Sequence, residues 1–279
     1  MNSLLPGAEL TTSQFASISQ LVKELCGINL HQGKMMLVKA RLSKRLRQLG
    51  LTSFGQYMDR IRDDANGGEV RAMLEALSTN LTYFFREEHH FQVLRRTAIP
   101  AMLARHKRDR RVRLWSAGCS SGEEAYSIAM TLHEVMGGCP GWDVGILGTD
   151  LSTQVLRMAM EALYTPDRLR QMGPSAILEH FTAHDCGGVR RYRLKEPLRR
   201  LVTFARLNLM DAWPMTGTFD VIFCRNVMIY FDKATQQRLI QRFWNQLCDG
   251  GLLFIGHSES LAGIEHRFGY VEPTVYQKR

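Results

Sequence analysis

The hydrophobic pattern of the chain changes its period near residue 110. Between residues 11 and 77, apolar side chains such as Phe15, Ile18 and Val22 recur at helical spacing, which predicts amphipathic helices. Beyond residue 110, short apolar runs alternate with helical segments. Strands are expected at 112–117, 144–148, 202–207, 219–224 and 252–256, and helices at 122–136, 152–163 and 234–248. The sequence therefore predicts an all-helical N-terminal domain (residues 1–90) and an α/β domain with a parallel sheet (residues 91–279).

The alternation of strand and helix fails between Leu163 and Val202. This stretch lacks a clear helical period, contains Gly187-Gly188, and shows alternation at Val189, Tyr192 and Leu194. We predict a small antiparallel β insertion at about residues 165–203, inside the α/β domain. The tail at 269–277 also alternates and is expected to form an edge hairpin strand.

Composition excludes several classes of protein. The six cysteines include no C-x-x-C pair, which argues against a zinc ribbon or a redox pair and is typical of reduced cytosolic thiols. The N-terminus lacks the basic region of a signal peptide. No apolar run approaches the roughly 20 residues needed to cross a bilayer. We expect a cytoplasmic enzyme that does not insert directly into the membrane.

The formal net charge of +9 favours an acidic partner, and the charge is concentrated in two clusters. The segment 105–113 has six basic residues and one acid, and we interpret it as a solvated loop. The segment 31–50 has no acid, and it is either a solvated helix face or a docking surface. Its basic residues are Lys34, Lys39, Arg41, Lys44, Arg45 and Arg47.

The turn after the first predicted strand suits a cationic ligand. Gly118 and Gly122 allow a ligand to approach the backbone, and the dinucleotide fingerprint G-x-G-x-x-G is absent. Glu123 and Glu124 occupy the first helical turn, where they would repel a pyrophosphate. S-adenosyl-L-methionine carries a sulfonium and an ammonium group and no phosphate, so we predict it as the cofactor.

Asp150 ends the second predicted strand. An acid at this position of a βαβ unit can accept hydrogen bonds from both ribose hydroxyls of a nucleoside. Alternatively, Asp150 caps the helix that is predicted to begin at Ser152. The ribose role is the interpretation that we favour.

Four long motifs, in this order, resemble those of the bacterial chemotaxis receptor methyltransferases of the CheR type, which methylate glutamate side chains. They are Ser78–Glu87 (STNLTYFFRE), Trp115–Glu124 (WSAGCSSGEE), Phe223–Phe231 (FCRNVMIYF) and Gly251–Glu259 (GLLFIGHSE). The resemblance covers nearly the whole chain. It implies a Rossmann-like class I S-adenosylmethionine-dependent methyltransferase sheet, an all-helical N-terminal domain and a small β-subdomain inserted in the sheet.

The resemblance also implies which residues act. Arg86 and Tyr230 match positions proposed to act at the reacting centre, although from the residues alone Arg86 could form an ion pair and Tyr230 a core contact. Asn226, from the residues alone, could cap a helix. The positions that match the family's cofactor-binding residues are Asn80, Thr82, Arg86, Glu123, Asp150, Asn208, Leu209, Arg225 and Asn226, to which the turn itself adds Gly118.

The reaction implied is the O-methylation of glutamates on the helical bundle of methyl-accepting chemotaxis receptors, which gives glutamyl methyl esters in sensory adaptation. A glutamate is already ionised at pH 7, so the enzyme needs no general base. The basic helix would steer an acidic bundle into place, and the β insertion could bind a receptor C-terminal peptide.

Two other functions stay open on the sequence. A nucleic-acid methyltransferase would use the same cofactor, but no N/D-P-P-Y motif follows the strand at 219–224 and no aromatic-rich basic ribbon is present, so we expect no nucleic-acid partner. A non-catalytic regulator that binds the cofactor or its product would keep the same motifs. We predict no metal site, because the adjacent His89 and His90 point to different helix faces.

Overall fold

The chain forms two compact units in the structure, a computed structural model that describes residues 8–279 apart from the side chain of Cys186. The first unit contains the described residues up to Thr79 together with Tyr230–Asp232. The second contains Asn80–Ile229 and Lys233–Arg279.

The division between the units falls before the predicted boundary at residues 90 and 91. Residues 80–90 bond to the second unit and therefore belong with it. The Asn80 carbonyl accepts a hydrogen bond from Ser120 Oγ at 2.9 Å, and the Phe85 N–H donates to Ser127 Oγ at 2.9 Å.

The first unit is helical, as predicted. Thr11 caps the first helix in a reciprocal pair with Gln14, and Gly27 and Gly50 end the first two helices in the left-handed conformation. The helices are α1 (Thr12–Cys26), α2 (Met35–Leu49), α3 (Phe54–Arg62) and α4 (Gly68–Leu77), with a 3₁₀ turn at Gln32–Lys34. Their apolar faces meet in a core that includes Phe15, Val38, Leu42 and Tyr57.

The second unit contains a seven-stranded sheet, whose strands are β1 (Arg111–Ala117), β2 (Asp143–Asp150), β6 (Val202–Arg206), β7 (Phe219–Cys224), β8 (Leu247–Ile255), β9 (Gly269–Glu272) and β10 (Val275–Gln277). Their order in the sheet is β6-β2-β1-β7-β8-β10-β9. The first five of these pair in parallel, and β10 pairs antiparallel with β8 and β9. The order reverses between β1 and β7, so the turns that follow these strands bound a ligand crevice.

The α-helices of the second unit are α5 (His89–Val93), α6 (Ile99–Arg105), α7 (Glu123–Val135), α8 (Thr153–Glu161), α9 (Pro174–His180), α10 (Glu196–Arg199) and α11 (Lys233–Gln246), with a π-helical turn at Leu94–Ala98. Helix α7 follows β1 directly, and α8 follows β2. None of the helices among residues 8–279 is long and apolar enough to cross a bilayer.

The predicted insertion is a three-stranded antiparallel sheet in the order β3-β5-β4. Its strands are β3 (Leu163–Tyr164), β4 (Phe181–Cys186) and β5 (Val189–Leu194). The main sheet differs from the prediction at β8, which begins at Leu247. Leu247 pairs with Phe219, and a shift of register then carries the ladder past the glycines to Leu252.

Candidate active site

The turn between β1 and α7 requires its two glycines. Gly118 and Gly122 have φ values of 86° and 94°, a region that side chains with a Cβ adopt at a cost. A Cβ on Gly122 would lie 2.9 Å from Ala159 Cβ. The N–H groups of Gly118 and Cys119 both donate to the Thr149 carbonyl. The turn is therefore held against the end of β2.

Replacing Gly118 by alanine is expected to destabilise the second unit by about 2–4 kcal/mol, from the strained φ and from crowding together. The new Cβ would lie 2.5 Å from Val227 Cγ2. Urea denaturation measures the loss. In the double variant Gly118→Ala/Val227→Ala, the crowding is relieved and the strain stays, so partial recovery is expected. A single variant as stable as the wild type would contradict this account.

Asp150 lies at the end of β2 and bonds to two loops. Its Oδ2 accepts the Ser120 N–H at 2.9 Å, and its Oδ1 accepts the Ser152 N–H at 3.0 Å. The side-chain cap of α8 is Ser152, whose Oγ accepts from the Val155 N–H. Because each carboxylate oxygen can accept more than one hydrogen bond, these contacts leave Asp150 capable of binding ribose hydroxyls as well.

The two glutamates that begin α7 have different partners. Glu123 is fully buried and accepts from Ser121 Oγ at 2.7 Å and from Arg168 Nη1 at 2.9 Å. Glu124 accepts from Ser116 Oγ at 2.6 Å and from Arg225 Nη1 at 3.2 Å. Burial raises the pKa of both carboxyls. Their contacts place Glu124, and not Glu123, beside Arg225.

Arg225 occupies a nearly closed space between two acids. Its side chain is 2% exposed, and its guanidinium lies 3.1 Å from Glu87 Oε2 and 3.2 Å from Glu124 Oε2. It also donates to the Arg86 carbonyl. Burial favours the neutral form of Glu87, but Arg225 and a hydrogen bond from Asn226 outweigh it and hold the pKa of Glu87 below its ordinary value.

Asn226 lies in a left-handed turn after β7, with φ at 59°. Its Nδ2 donates to Glu87 Oε1 at 3.2 Å, and its N–H donates to Glu259 Oε2 at 3.0 Å. Sequence reasoning assigned no role to Glu87 or Glu259. Both are the last residues of motifs quoted above, and their place in these motifs was the sequence signal that could have indicated a role at the site.

The other cofactor candidates lie near the carboxyl ends of the strands. The Thr82 carbonyl accepts from Arg168 Nη1 at 3.3 Å, and Arg86 donates to the Leu81 carbonyl at 2.8 Å. Asn208 follows β6 and accepts the Met210 N–H at 3.1 Å. Leu209 is buried, and its carbonyl accepts from Arg242 Nη1 at 2.5 Å.

Tyr230 belongs to the first unit. Its carbonyl accepts the Asn29 N–H at 2.7 Å, and the adjacent Phe231 pairs with Ile28. Lys23 Nζ lies 2.8 Å from Asp232 Oδ2 in the same segment.

The basic residues of segment 31–50 divide into two groups. Lys34, Lys44 and Arg47 are exposed, and Lys39 pairs with Glu9 at 3.3 Å. The other two bind within the first unit. Arg41 donates to the carbonyls of Leu77 and Ser78, and Arg45 pairs with the buried Glu69.

One group of potential metal ligands among the described residues includes His90 but not its neighbour His89. Donor atoms of Glu87, His90 and His257 lie within 4.8 Å of one another. Burial lowers the pKa of His90 to about 3, which keeps the imidazole neutral. Glu87, however, already pairs with the Arg225 guanidinium. A metal ion bound to Glu87 would have to replace this cation or lie beside it.

The comparisons with known proteins cover both units. Residues 80–277 match the family model described as the CheR methyltransferase SAM binding domain, and residues 13–78 match the CheR methyltransferase all-alpha domain. A chemotaxis protein methyltransferase of Escherichia coli (strain K12) is 42% identical, over 96% of this chain and 91% of its own. Chemotaxis protein methyltransferase 2 of Pseudomonas aeruginosa is 43% identical, over 95% and 93%. A probable chemotaxis protein methyltransferase of Rhizobium etli is 42% identical, over 90% and 94%.

Proposed function

The chain belongs to the CheR methyltransferase family, and from that premise we propose that it transfers the methyl group of S-adenosylmethionine to glutamate side chains of chemotaxis receptors. The product would be a glutamyl methyl ester. The observation that carries the proposal is the set of acids around the turns after β1, β2 and β7, namely Asp150, Glu124 and Glu87, with Arg225 between the last two.

The residues of this set fit the cofactor, which supplies an electrophilic methyl group on a sulfonium. Asp150 would accept the ribose hydroxyls. We assign the contact with the cofactor to Glu124, although the resemblance implied Glu123, because Glu123 is fully buried and bonded to Arg168. Arg86 would bind the carboxylate of the methionine moiety, and Asn226 would hold the same amino-acid end.

The chain's own residues would position the substrate and exclude water. A receptor glutamate is ionised at pH 7, so the protein does not need to remove a proton from it. The protein must bring a carboxylate oxygen of the receptor glutamate to within about 3–3.5 Å of the methyl carbon, in line with the sulfur. It must also remove water from that carboxylate. Tyr230 would donate a hydrogen bond to the substrate oxygen.

Two surfaces would bind the receptor. Lys34, Lys44 and Arg47 are exposed on the first unit and would attract an acidic helical bundle. The strand β4 is an edge of the small sheet, and a receptor C-terminal peptide could add to it as a further strand.

Reversing the charge of Lys34, Lys44 and Arg47 to Glu is expected to lower kcat/KM for the receptor about tenfold at low ionic strength, because steering is electrostatic. The defect should shrink as salt screens the field. Arg41 is not reversed, because it bonds to the backbone at Leu77 and Ser78.

A matched control reverses three exposed basic residues of the connection between α6 and β1, namely Lys107, Arg108 and Arg110. It changes the net charge equally and should leave receptor kinetics close to those of the wild type. Equal defects in the two triple variants would show that only net charge matters, and would contradict a docking role for the basic segment 31–50.

The function itself is tested with cofactor tritiated on the methyl group. The purified chain is incubated with receptor-containing membranes or with RNA, and labelled protein is treated with alkali. Volatile tritiated methanol is expected, because alkali cleaves methyl esters. Label in RNA would instead support a nucleic-acid methyltransferase. Binding of S-adenosylhomocysteine by calorimetry, with no transfer to either substrate, would support a non-catalytic regulator.

A further inference from the structure

Glu259 joins the turn after β8 to the turn after β7. Its side chain is buried, and Oε2 accepts the N–H groups of Asn226 at 3.0 Å and Gly256 at 2.6 Å. Its Oε1 accepts the Ile229 N–H at 3.1 Å. Both carboxyl oxygens therefore bind backbone donors, and two of the three donors lie in the loop 225–229.

The approach of the two turns also depends on Gly256. A Cβ at this position would lie 2.5 Å from Asn226 Nδ2 and 2.7 Å from the Asn226 backbone nitrogen. The glycine admits the left-handed turn at Asn226, and Glu259 binds the N–H groups that this turn presents. These are two independent features that fix the same backbone.

The loop at 225–229 presents side chains that matter to the proposed chemistry. Arg225 and Asn226 both bond to Glu87, and Glu87 also accepts the His257 N–H at 3.2 Å. Glu87 thus holds the side chains of the loop, whereas Glu259 holds its backbone. A change in the backbone at Asn226 would displace both side chains.

We propose that Glu259 is a positioning residue for cofactor binding, which sets the backbone of loop 225–229 so that Asn226 stands at the amino-acid end of the cofactor and Arg225 keeps its pairs with Glu87 and Glu124. This inference rests on the proposed function. It assigns Glu259 no contact with the cofactor or the substrate.

Glu259→Gln is a sharp test, because glutamine has the same shape but only one acceptor oxygen. Whichever way the amide is turned, its NH₂ group faces a backbone N–H. Leaving buried donors unsatisfied is expected to raise the Kd for S-adenosylhomocysteine about tenfold and to raise the KM for S-adenosylmethionine with it. The KM for the receptor should change by less than about twofold.

Asp220→Asn is the matched control. Asp220 is also a buried carboxylate that accepts a backbone N–H, from Arg113 at 3.0 Å, but it lies near the start of β7, at the opposite end of the strand. This variant should lose stability without losing affinity for S-adenosylhomocysteine. A purely structural role for Glu259 would lower the amount of active protein in both variants and leave Kd and KM unchanged in both.

The variant Glu259→Asp tests the same proposal if Glu259→Gln does not fold. It keeps two acceptors at a shorter reach, and its Kd should lie above that of the wild type. The inference is overturned if either Glu259 variant binds S-adenosylhomocysteine as the wild type does, or if Asp220→Asn weakens binding equally. If the wild type itself neither binds the cofactor product nor transfers methyl groups, the proposed function fails instead.

Discussion

Replacing Arg225 by methionine is expected to lower the free energy of unfolding by about 3–5 kcal/mol, because removing one partner of a buried ion pair leaves the other charge uncompensated. Here two acids lose their cation, since Glu87 and Glu124 both lie close to the Arg225 guanidinium, and their side chains are only 10% and 12% exposed. Methionine keeps much of the volume, so a cavity contributes little. Urea denaturation at pH 8 measures the loss.

The loss should depend on pH in a definite direction. Burial raises the pKa of Glu124, and Arg225 lowers it, so the variant's Glu124 should have a folded-state pKa still further above the unfolded value. A carboxyl whose pKa is higher in the folded state than in the unfolded state stabilises the fold at pH values below its unfolded-state pKa. This stabilisation is lost as the pH rises through the folded-state pKa. The deficit relative to the wild type should therefore shrink as the pH falls from 8 toward about 5.

The control for Arg225 is Arg170→Met. Arg170 pairs with Asp167 at 3.0 Å, and both side chains are about three-quarters exposed. An exposed pair of this kind contributes little, roughly 0–1 kcal/mol, so this variant should denature nearly as the wild type does. Comparable losses in the two variants, or a deficit at Arg225 that does not change with pH, would contradict the account of a buried cluster.

The second large effect is expected at Asp150. Its replacement by alanine should weaken the binding of S-adenosylhomocysteine about a hundredfold or more, because each of the two hydrogen bonds from ribose hydroxyls to the carboxylate is worth about 1.5–3 kcal/mol. The change also removes the acceptor for the N–H groups of Ser120 and Ser152. Asp150→Asn keeps one acceptor oxygen and the size, and its affinity should lie between those of the wild type and the alanine variant.

Asp143→Ala is the control on the same strand. Asp143 begins β2, whereas Asp150 ends it, and Asp143 is exposed and pairs with arginines. Ligands bind at the carboxyl ends of such strands, so the Asp143 variant should bind S-adenosylhomocysteine with the affinity of the wild type. Calorimetry measures the Kd of the wild type, Asp150→Ala, Asp150→Asn and Asp143→Ala. An unchanged Kd for Asp150→Ala would remove Asp150 from the proposed site.

The period of the apolar residues was enough to predict most elements of the fold. The strand at 219–224 was predicted with its observed bounds, and the glycines of the turn were recognised from their position between strand and helix. At β8 the pattern failed, because Gly250-Gly251 resembles a turn, whereas the pairing with β7 continues through a shift of register. Pairing between distant strands is not visible in a local pattern.

The partners of the charged residues were harder to predict. Glu123 and Glu124 are neighbours in sequence, but successive side chains of a helix point in different directions, and the partner of Glu123 is Arg168, which comes from the insertion. The donors to Glu259 include the Asn226 N–H, 33 positions away. Such contacts depend on the assembled fold, so the sequence could name the motifs but not the pairs within them.

The helical unit of this chain is discontinuous, and this affects how the chain can be recombined with a relative. Lys23 and Asn29 have their partners in Tyr230–Asp232, far along the chain from the other residues of that unit. A chimera that takes only residues up to 79 from another relative would pair the Lys23 ammonium and the Asn29 backbone N–H of one parent with the Asp232 carboxylate and the Tyr230 carbonyl of the other. A crossover that keeps the Lys23–Asp232 ion pair within one parent must therefore transfer two separate stretches of the gene together, or leave both in place.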